Sequence, residues 1–256
     1  MLTSDDAVRA SEPTQSAQWG FWGTLLWGTA ILLVASLFQT AAIVALTLWG
    51  NGEIWNGSGP ELVQAVLSIG KSGLGLSLAT LVAMVAYGGL LVGVIRLKRR
   101  SVLRAYLGLG PVSLATLRNW CGLLVGLLAI FEVLGVAFGR SGIPEFIAVA
   151  YATARPVWLL WLAFVVAAPL SEELFFRGFL LKGFAASFMG PIAAVVVTSA
   201  VWAALHSQYD AYDMATIFAL GLLFGAARLM TGSLLVPLTL HATTNLLATT
   251  DVAFLG

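Results

Sequence analysis

The chain has 256 residues, of which 59% are hydrophobic and 10% are charged, and its formal net charge is +1. A soluble domain carries about 25% charged residues, so this composition excludes an ordinary soluble protein and predicts an all-α, polytopic membrane helix bundle. The nearly neutral charge gives no indication of a nucleic-acid partner. With Cys121 as its single cysteine, the chain can form no intrachain disulfide.

The first 18 residues are polar and slightly acidic, and they lack the basic region and short apolar core of a signal peptide. We therefore expect a disordered tail over residues 1–18, followed by a single membrane domain over residues 19–256. The first span is expected at about residues 21–49. After a loop rich in Gly and Asn, the amphipathic segment 61–71 is expected to lie on the membrane surface.

A basic segment follows the second span, which is expected at about residues 73–95. Between positions 96 and 118 the chain carries six basic residues and no acidic one: Arg96, Lys98, Arg99, Arg100, Arg104 and Arg118. The positive-inside rule predicts that this segment is cytoplasmic. The N-terminus is then expected to be cytoplasmic too, because two spans separate it from the segment. From the bias towards Ala, Gly and Leu we expect a prokaryotic cell membrane.

The third span is expected at about residues 119–138 and contains Glu132, an acid within an apolar stretch. Such a side chain can neighbour a site or form a hydrogen bond to another helix, and its local pattern favours the second. An external connection is expected at residues 140–155. Breaks at Gly190-Pro191 and Thr231-Gly232 lie between the four further helices, which gives seven to eight helices in all. These four are expected at about residues 156–187, 191–206, 211–230 and 233–250.

An adjacent pair of acids lies in the first of these four helices, within the sequence Ser-Glu-Glu-Leu-Phe-Phe-Arg-Gly. Glu173 and Arg177 are four residues apart, which favours an ion pair on one face of a helix. Glu172 points about 100° away from Glu173. One acid can therefore be neutralised by Arg177 while the other faces a cavity and acts as a general base.

Only two histidines occur in the chain, His206 and His241, and both lie in apolar helices. A hairpin that turns near residues 190–191 has nearly equal arms, so it predicts that His206 returns to the depth of Glu172. His241 and Asn245 are one helical turn apart and share a face. A carboxylate, a histidine and a pair of hydrogen-bond donors are the groups needed to attack a carbonyl with water.

Two interpretations stay open at this point. Trp202 lies one turn before His206, on the same face, where it can line a substrate groove or serve packing alone. Glu172, His206 and His241 would satisfy a zinc site of two histidines and one acid, and the same side chains could hold a water without a metal. No His-Glu-x-x-His sequence is present, and we favour the absence of tightly bound zinc.

Taken together, the motifs resemble those of the CPBP intramembrane proteases, a family of CAAX proteases and bacteriocin-processing enzymes that is also called the Abi family. The family motifs are Glu-Glu-x-x-x-Arg, Phe-x-x-x-His and His-x-x-x-Asn, and the matching residues of this chain are Glu172, Glu173, Arg177, His206, His241 and Asn245. Trp202 stands where the second motif has Phe. The resemblance covers about residues 156–250.

The resemblance implies a peptidase inside the membrane whose active site is reached from the cytoplasmic side. It implies that Glu172 activates the water and that the two histidines and Asn245 surround the water or the oxyanion. The family has been described both as metal-dependent and as a glutamate-type protease without zinc. The expected substrate is a membrane-associated peptide, such as a lipidated C-terminus, a bacteriocin leader or a membrane-protein fragment.

Two other functions are compatible with the same residues. In a carrier or channel, Glu172, Glu132 and the histidines would form a proton or ion relay, but the sequence has no inverted repeat of the kind common in transporters. A non-catalytic scaffold or immunity-type protein would bind a partner peptide without cleaving it. The intact set of polar residues argues against that reading.

Overall fold

The structure is a computed structural model that describes residues 18–50, 58–98, 102–140 and 143–255. Within these residues it contains ten helices and no strand, which confirms the predicted all-α bundle. The tail expected over residues 1–18 lies outside the described residues except for its last position, and so does most of the Gly- and Asn-rich loop.

The ten helices are numbered here in chain order. They are α1 (Phe21–Gly50), α2 (Gly59–Lys71), α3 (Gly73–Leu97), α4 (Leu103–Leu107), α5 (Leu114–Ala137), α6 (Glu145–Thr153), α7 (Val157–Ala185), α8 (Gly190–Ala204), α9 (Ala211–Thr231) and α10 (Leu235–Leu255).

Helices α1, α3, α5, α7 and α9 are each long and apolar enough to cross a membrane. The chain is an integral, multi-pass membrane protein. Helix α8 is apolar but has only 15 residues. The expected spans correspond to α1, α3, α5 and α7 to α10, and the expected surface segment corresponds to α2. Helices α4 and α6 are additional, because helices of five and nine residues carry too little periodicity to be recognised in a sequence.

Glycine forms the two breaks in the C-terminal half. Gly190 has a φ of +73° and Gly232 has a φ of +67°, a backbone region that favours glycine. The breaks expected at Gly190-Pro191 and Thr231-Gly232 are thereby confirmed. Between them, Asp210 begins α9 by accepting hydrogen bonds from the backbone N–H groups of Tyr212 and Asp213.

Helix α7 lies at the centre of the bundle. Of the five spans it is the most buried, with 44% of its apolar window inside the bundle. Residues 162–167 and 174–180 adopt wider π-helical turns, and the α-helical stretch Ala168–Glu173 lies between them. Such wide turns are frequent at functional sites. The short stretch between the two π-helical turns carries the adjacent pair of glutamates.

One end of the bundle is rich in cations, and we name it the basic end: residues 96–98 and 102–118 and the helix ends that pack against them. There the Lys182 Nζ atom, near the end of α7, donates a hydrogen bond to the Tyr106 carbonyl at 2.9 Å. The Leu234 N–H, just before α10, donates to the Gly108 carbonyl at 3.0 Å. These contacts fix the end of α7 and the start of α10 beside the basic segment.

The opposite end of the bundle comprises α6 and the connection between α8 and α9. There Arg140 forms ion pairs with Asp210 at 2.5 Å and with Asp213 at 3.2 Å. The Tyr212 hydroxyl donates a hydrogen bond to the Phe131 carbonyl, which joins the start of α9 to α5. The two ends of the bundle therefore differ in charge.

Candidate active site

A cavity of about 360 Å³ lies between α7, α8, α9 and α10. Its volume is within the range of small-ligand pockets. Five residues singled out by the sequence analysis line it: Glu172, Trp202, His206, His241 and Asn245. The hairpin of α7 and α8 thus brings Glu172 and His206 to one cavity, as their spacing predicts.

The outer wall of this cavity belongs to the opposite end of the bundle. Pro144 and Phe146 line it from the start of α6, and Gln208 and Tyr209 line it from the connection before α9. Residues of the basic end do not contribute to the lining among the described positions. Burial raises the pKa of Tyr209, so its phenol keeps a proton and can donate a hydrogen bond.

Glu173 lies behind the cavity and is fully buried. Its Oε1 atom accepts hydrogen bonds from the Arg177 Nη1 atom at 3.0 Å and from the His241 Nδ1 atom at 2.9 Å. The ion pair expected from the four-residue spacing is therefore present. Because a buried carboxylate is costly unless it is paired, these two contacts are what allow a charged Glu173 inside the bundle.

Glu172, by contrast, is only partly buried and lines the cavity. Its Oε2 atom accepts a hydrogen bond from the Trp202 Nε1 atom at 2.5 Å. Trp202 is 3% exposed, and its indole N–H fixes the orientation of the carboxylate. Trp202 lines the cavity. Its hydrogen bond to Glu172 is a further role, which neither groove lining nor packing alone accounts for.

A hydrogen bond at the Nδ1 atom holds the ring of each of the two histidines. The His206 Nδ1 atom lies 2.8 Å from the Trp202 carbonyl, and the His241 Nδ1 atom lies 2.9 Å from Glu173. A carbonyl oxygen and a carboxylate oxygen accept only, so each Nδ1 carries the hydrogen. In a neutral ring the remaining nitrogen, Nε2, then has a free lone pair.

Trp202 is also the centre of a layer of rings. Its ring centroid is 5.2 Å from that of His206 and 5.2 Å from that of His241. The Arg177 guanidinium lies 4.5 Å from the centroid of the same ring. This is a cation–π contact, in which the π electrons of the ring attract the positive charge. Phe224 stacks on His241 at 5.5 Å. This layer leaves the site residues little freedom to move.

Asn245 connects α10 to the first π-helical turn of α7. Its Nδ2 atom donates a hydrogen bond to the Phe164 carbonyl at 2.8 Å. An amide nitrogen carries two hydrogens, so a second one remains for another acceptor. Asn245 lines the cavity together with His241, as expected for two residues one turn apart.

A close approach of α8 and α9 brings His206 and Phe224 to the same cavity. A Cβ atom on Gly221 would lie only 2.8 Å from the Ser199 Cβ atom, so no larger residue fits there. The Gly221 carbonyl also accepts a hydrogen bond from the Arg177 Nη2 atom, at 3.4 Å. Small residues at helix contacts allow this packing in membranes.

The described residues contain no group of three His, Cys, Asp or Glu side chains placed to hold a metal ion. The zinc set considered from the sequence, Glu172, His206 and His241, is therefore not assembled as a three-ligand group, although all three line the cavity. The residues as arranged do not fit a zinc site.

Glu132 does not belong to this site. Its side chain is exposed on α5, is not among the residues that line the cavity, and makes no hydrogen bond or ion pair with a described residue. Neither interpretation of this acid is supported. Conversely, the Phe164 carbonyl and the Phe224 ring take part in the site, and the sequence carries no signal for them because their roles arise from tertiary packing.

Comparison with known families identifies the part of the chain that builds this site. Residues 154–247 match a family model described as type II CAAX prenyl endopeptidase Rce1-like. This segment is similar to Rce1-like domains. It contains all seven site residues of the sequence analysis and agrees with the resemblance to the CPBP and CAAX proteases. The matched segment begins just before α7 and ends within α10.

One curated protein similar to the chain is an "Uncharacterized 24.3 kDa protein" of Escherichia coli, which is 37% identical over 87 residues. The alignment covers 33% of this chain and 40% of the Escherichia coli protein, so the chain spans less than half the length of that relative. No solved structure matches the chain significantly.

Proposed function

We propose that this protein is an intramembrane endopeptidase that hydrolyses a peptide bond of a membrane-associated peptide. The observation that carries the proposal is the meeting of Glu172, His206, His241 and Asn245 around one cavity inside a membrane protein. The Rce1-like domain supports a membrane peptidase in general. Ionisable side chains at this depth usually mark a site, since burying them in hydrocarbon is costly.

In the proposed reaction, Glu172 acts as the general base. It takes one proton from a water while the water oxygen bonds to the peptide carbonyl carbon and the carbonyl electrons move onto oxygen. The tetrahedral intermediate then collapses, the C–N bond breaks, and the proton held by Glu172 passes to the leaving nitrogen. The products are a carboxylic acid and an amine, and Glu172 is restored.

The remaining groups hold the reactants. The lone pair on the His206 Nε2 atom accepts the second water hydrogen. The second amide hydrogen of Asn245 donates to the developing oxyanion. His241 lines the same cavity one helical turn from Asn245, and Glu173 fixes the orientation of its ring through the Nδ1 atom. Glu173 and Arg177 are positioning residues in this scheme, because they lie behind the cavity.

The proposed substrate is a membrane-associated peptide, and the apolar residues that line the cavity support this class of substrate. The lining includes Leu128, Phe146, Ile147 and Leu220, which suit an apolar segment or a lipid chain beside the scissile bond. A lipidated C-terminus of the CAAX type, named in the description of the family model, and a leader peptide are the two forms we propose to test.

We further propose that the substrate enters from the non-cytoplasmic side. The positive-inside rule makes the basic end cytoplasmic, whereas the cavity is lined by Pro144, Phe146 and Gln208 of the opposite end. The family resemblance implies access from the cytoplasm. Because the cavity and the basic segment lie at opposite ends of this bundle, such access is incompatible with a cytoplasmic basic segment. The six cations between positions 96 and 118 support the charge-based orientation.

Cysteine labelling tests the direction of access. In a Cys121→Ala background, Gln208→Cys places a thiol at the mouth of the cavity and Pro111→Cys places one in the basic segment, and both positions are exposed. In intact cells a membrane-impermeant maleimide should label only the cysteine at position 208. Labelling of position 111 alone would reverse the orientation and restore cytoplasmic access, without touching the peptidase proposal.

The peptidase proposal is tested by cleavage of membrane peptides. The purified wild type is incubated with lipidated and unlipidated peptides, beside Glu172→Gln and the matched control Glu132→Gln. Wild type and the Glu132 variant should cleave, and the Glu172 variant should be slower by at least about 100-fold. Equal cleavage by Glu172→Gln would contradict the proposal. Ion or proton flux in proteoliposomes that requires Glu172, with no cleavage of any peptide, would favour a transporter.

A further inference from the structure

A second cavity, of about 380 Å³, lies at the basic end and is separate from the candidate active site. Three of its lining residues are cationic: Arg177, Lys182 and Arg228. None of its described lining residues is acidic. A cavity with this concentration of one charge sign attracts an ion of the opposite sign.

Arg228 is the residue that points most directly to an anion. It is buried, with 9% of its surface exposed, and no ion pair joins it to a carboxylate among the described residues. Its Nη1 atom donates to the Gly232 carbonyl at 2.5 Å, but its buried Nε atom has no hydrogen-bond partner in the described part of the chain. A buried guanidinium without a counter-charge is unfavourable.

The backbone around Arg228 is shaped to admit the guanidinium. Gly108 has a φ of +67°, and a Cβ atom there would lie 2.8 Å from the Arg228 Nη2 atom and 2.4 Å from the Gly232 carbonyl oxygen. Only glycine leaves room for the arginine head at this turn. The turn itself is tied to α10 by the hydrogen bond from the Leu234 N–H to the Gly108 carbonyl.

The other two cations line the same cavity but have partners of their own. Lys182 donates hydrogen bonds to the Tyr106 and Ala105 carbonyls, at 2.9 Å and 3.3 Å, and both acceptors are neutral. The charge of Arg177 is matched by Glu173. Lys182 and Arg177 therefore form cationic parts of the cavity wall.

We propose that this second cavity binds a phosphate group, with Arg228 as the principal ligand and Lys182 as the second cation. Guanidinium groups bind phosphate oxygens through paired, charge-assisted hydrogen bonds. Because the cavity lies at the end of the bundle beside the basic segment, the group can belong to an anionic lipid headgroup or to free phosphate. This proposal does not depend on the proposed peptidase activity.

Thermal unfolding of the full-length protein in a neutral detergent tests the site. Inorganic phosphate is titrated at constant ionic strength against chloride, for wild type, Arg228→Gln and the matched control Arg118→Gln, which removes an exposed cation of the same end. At a phosphate concentration about tenfold above Kd, we expect Tm to rise by about 4 °C in wild type and in the Arg118 variant. The rise should be absent from Arg228→Gln.

A second titration distinguishes the source of the phosphate. Nanodiscs with increasing phosphatidylglycerol in phosphatidylcholine should raise the Tm of wild type but not of Arg228→Gln if a lipid headgroup occupies the cavity. A response to inorganic phosphate alone assigns the site to free phosphate. In case Arg228→Gln folds poorly, Lys182→Gln provides an independent variant, for which we expect about tenfold weaker phosphate binding.

Two results would overturn the proposal. The first is an equal rise in Tm for wild type and Arg228→Gln, which would make the anion an adventitious ion only. The second is no response of wild type to either probe.

Discussion

Glu172 and Glu173 are adjacent in the chain but occupy different environments. Glu173 is fully buried and binds Arg177 and His241, whereas Glu172 is partly buried, lines the cavity and accepts a hydrogen bond from Trp202. A base must reach the substrate, and a buried, doubly paired carboxylate cannot. The structural contrast therefore supports the proposal that the first acid of the pair is the base and that the second is a positioning residue.

The first prediction separates these two roles. Glu172→Gln should change the free energy of unfolding by less than about 1 kcal/mol, because a Gln oxygen still accepts the Trp202 hydrogen, and it should abolish cleavage. Glu173→Gln should destabilise the protein by about 3 kcal/mol or more, because it leaves the buried Arg177 unpaired. Unfolding curves and cleavage rates are measured on the same preparations.

The double variant Glu173→Gln, Arg177→Met provides the control for stability. Replacing both partners of a buried pair with uncharged side chains should recover part of the lost stability. If Glu173→Gln alone were as stable as wild type, the ion pair with Arg177 would have no structural role.

The second prediction concerns the indole N–H of Trp202. Trp202→Phe restores the residue usual in the second motif but removes the indole N–H that orients the Glu172 carboxylate. We expect kcat to fall by about tenfold with a smaller change in KM, because a general base acts efficiently only when it is held in the productive orientation. Phe188→Leu, an exposed aromatic change away from the site, is the control. An unchanged kcat in Trp202→Phe would show that the indole does not position the catalytic base.

The third prediction concerns Asn245. Asn245→Ala removes the amide that donates to the Phe164 carbonyl and the hydrogen proposed for the oxyanion. We expect kcat to fall by about 100-fold or more with a smaller change in KM, because the oxyanion forms only along the reaction path. Thr244→Ala, a neighbour that also lines the cavity, should retain most of the activity. A change confined to KM in Asn245→Ala would indicate substrate binding instead.

The fourth prediction uses the ion pairs of the opposite end. Hydrogen bonds from the backbone of Asp213 and from the Arg140 side chain lower the pKa of Asp210 below its usual 3.8. The folded state therefore binds protons less readily than the unfolded state, and the contact stabilises at higher pH and is lost as the pH falls through the lowered value. Between about pH 5 and pH 3, Tm should fall further in wild type than in Asp210→Asn.

Asp251→Asn removes an exposed acid from the end of α10 and is the matched control for this comparison. It should follow the wild-type curve. Parallel curves for wild type and Asp210→Asn would mean that the carboxylate charge adds no stability beyond the cap that an Asn oxygen also provides at the start of α9.

The fifth prediction concerns metal dependence. Because the described side chains form no three-ligand metal group, cleavage should survive dialysis against a chelator, and added zinc should not increase it. The control is a zinc peptidase inactivated under the same conditions. Loss of activity on chelation, with recovery on addition of zinc, would make His206 and His241 metal ligands and would require them to rearrange.

Much of the fold follows from the sequence. The spans, the surface helix α2 and the breaks at Gly190 and Gly232 are set by long apolar runs, by amphipathic periodicity and by residues that favour unusual φ values. These signals are local, so they can be recognised in the sequence without knowledge of the tertiary contacts. The short helices α4 and α6 form against neighbours, and for that reason the sequence does not indicate them.

The candidate active site can be predicted from the sequence only in part. Helical spacing predicts the ion pair of Glu173 with Arg177 and the common depth of Glu172 and His206. It does not predict that His241 contacts Glu173, that Trp202 donates to Glu172, or that Asn245 donates to a carbonyl of α7. Each of these contacts joins helices whose rotation about their own axes depends on packing across the whole bundle.

The two π-helical turns of α7 have a consequence for insertions and deletions. Each turn holds more residues than an α-helical turn, so deleting one residue within 162–167 would allow a regular helix to form with its hydrogen bonds intact. The part beyond the deletion would keep nearly its present orientation, because a π-helical turn holds its extra residue with less rotation per residue than an α-helix. A one-codon deletion there would thereby remove the wide turn and leave Glu172 directed at its cavity, so homologous chains can lose one residue of α7 and keep both the architecture and the site.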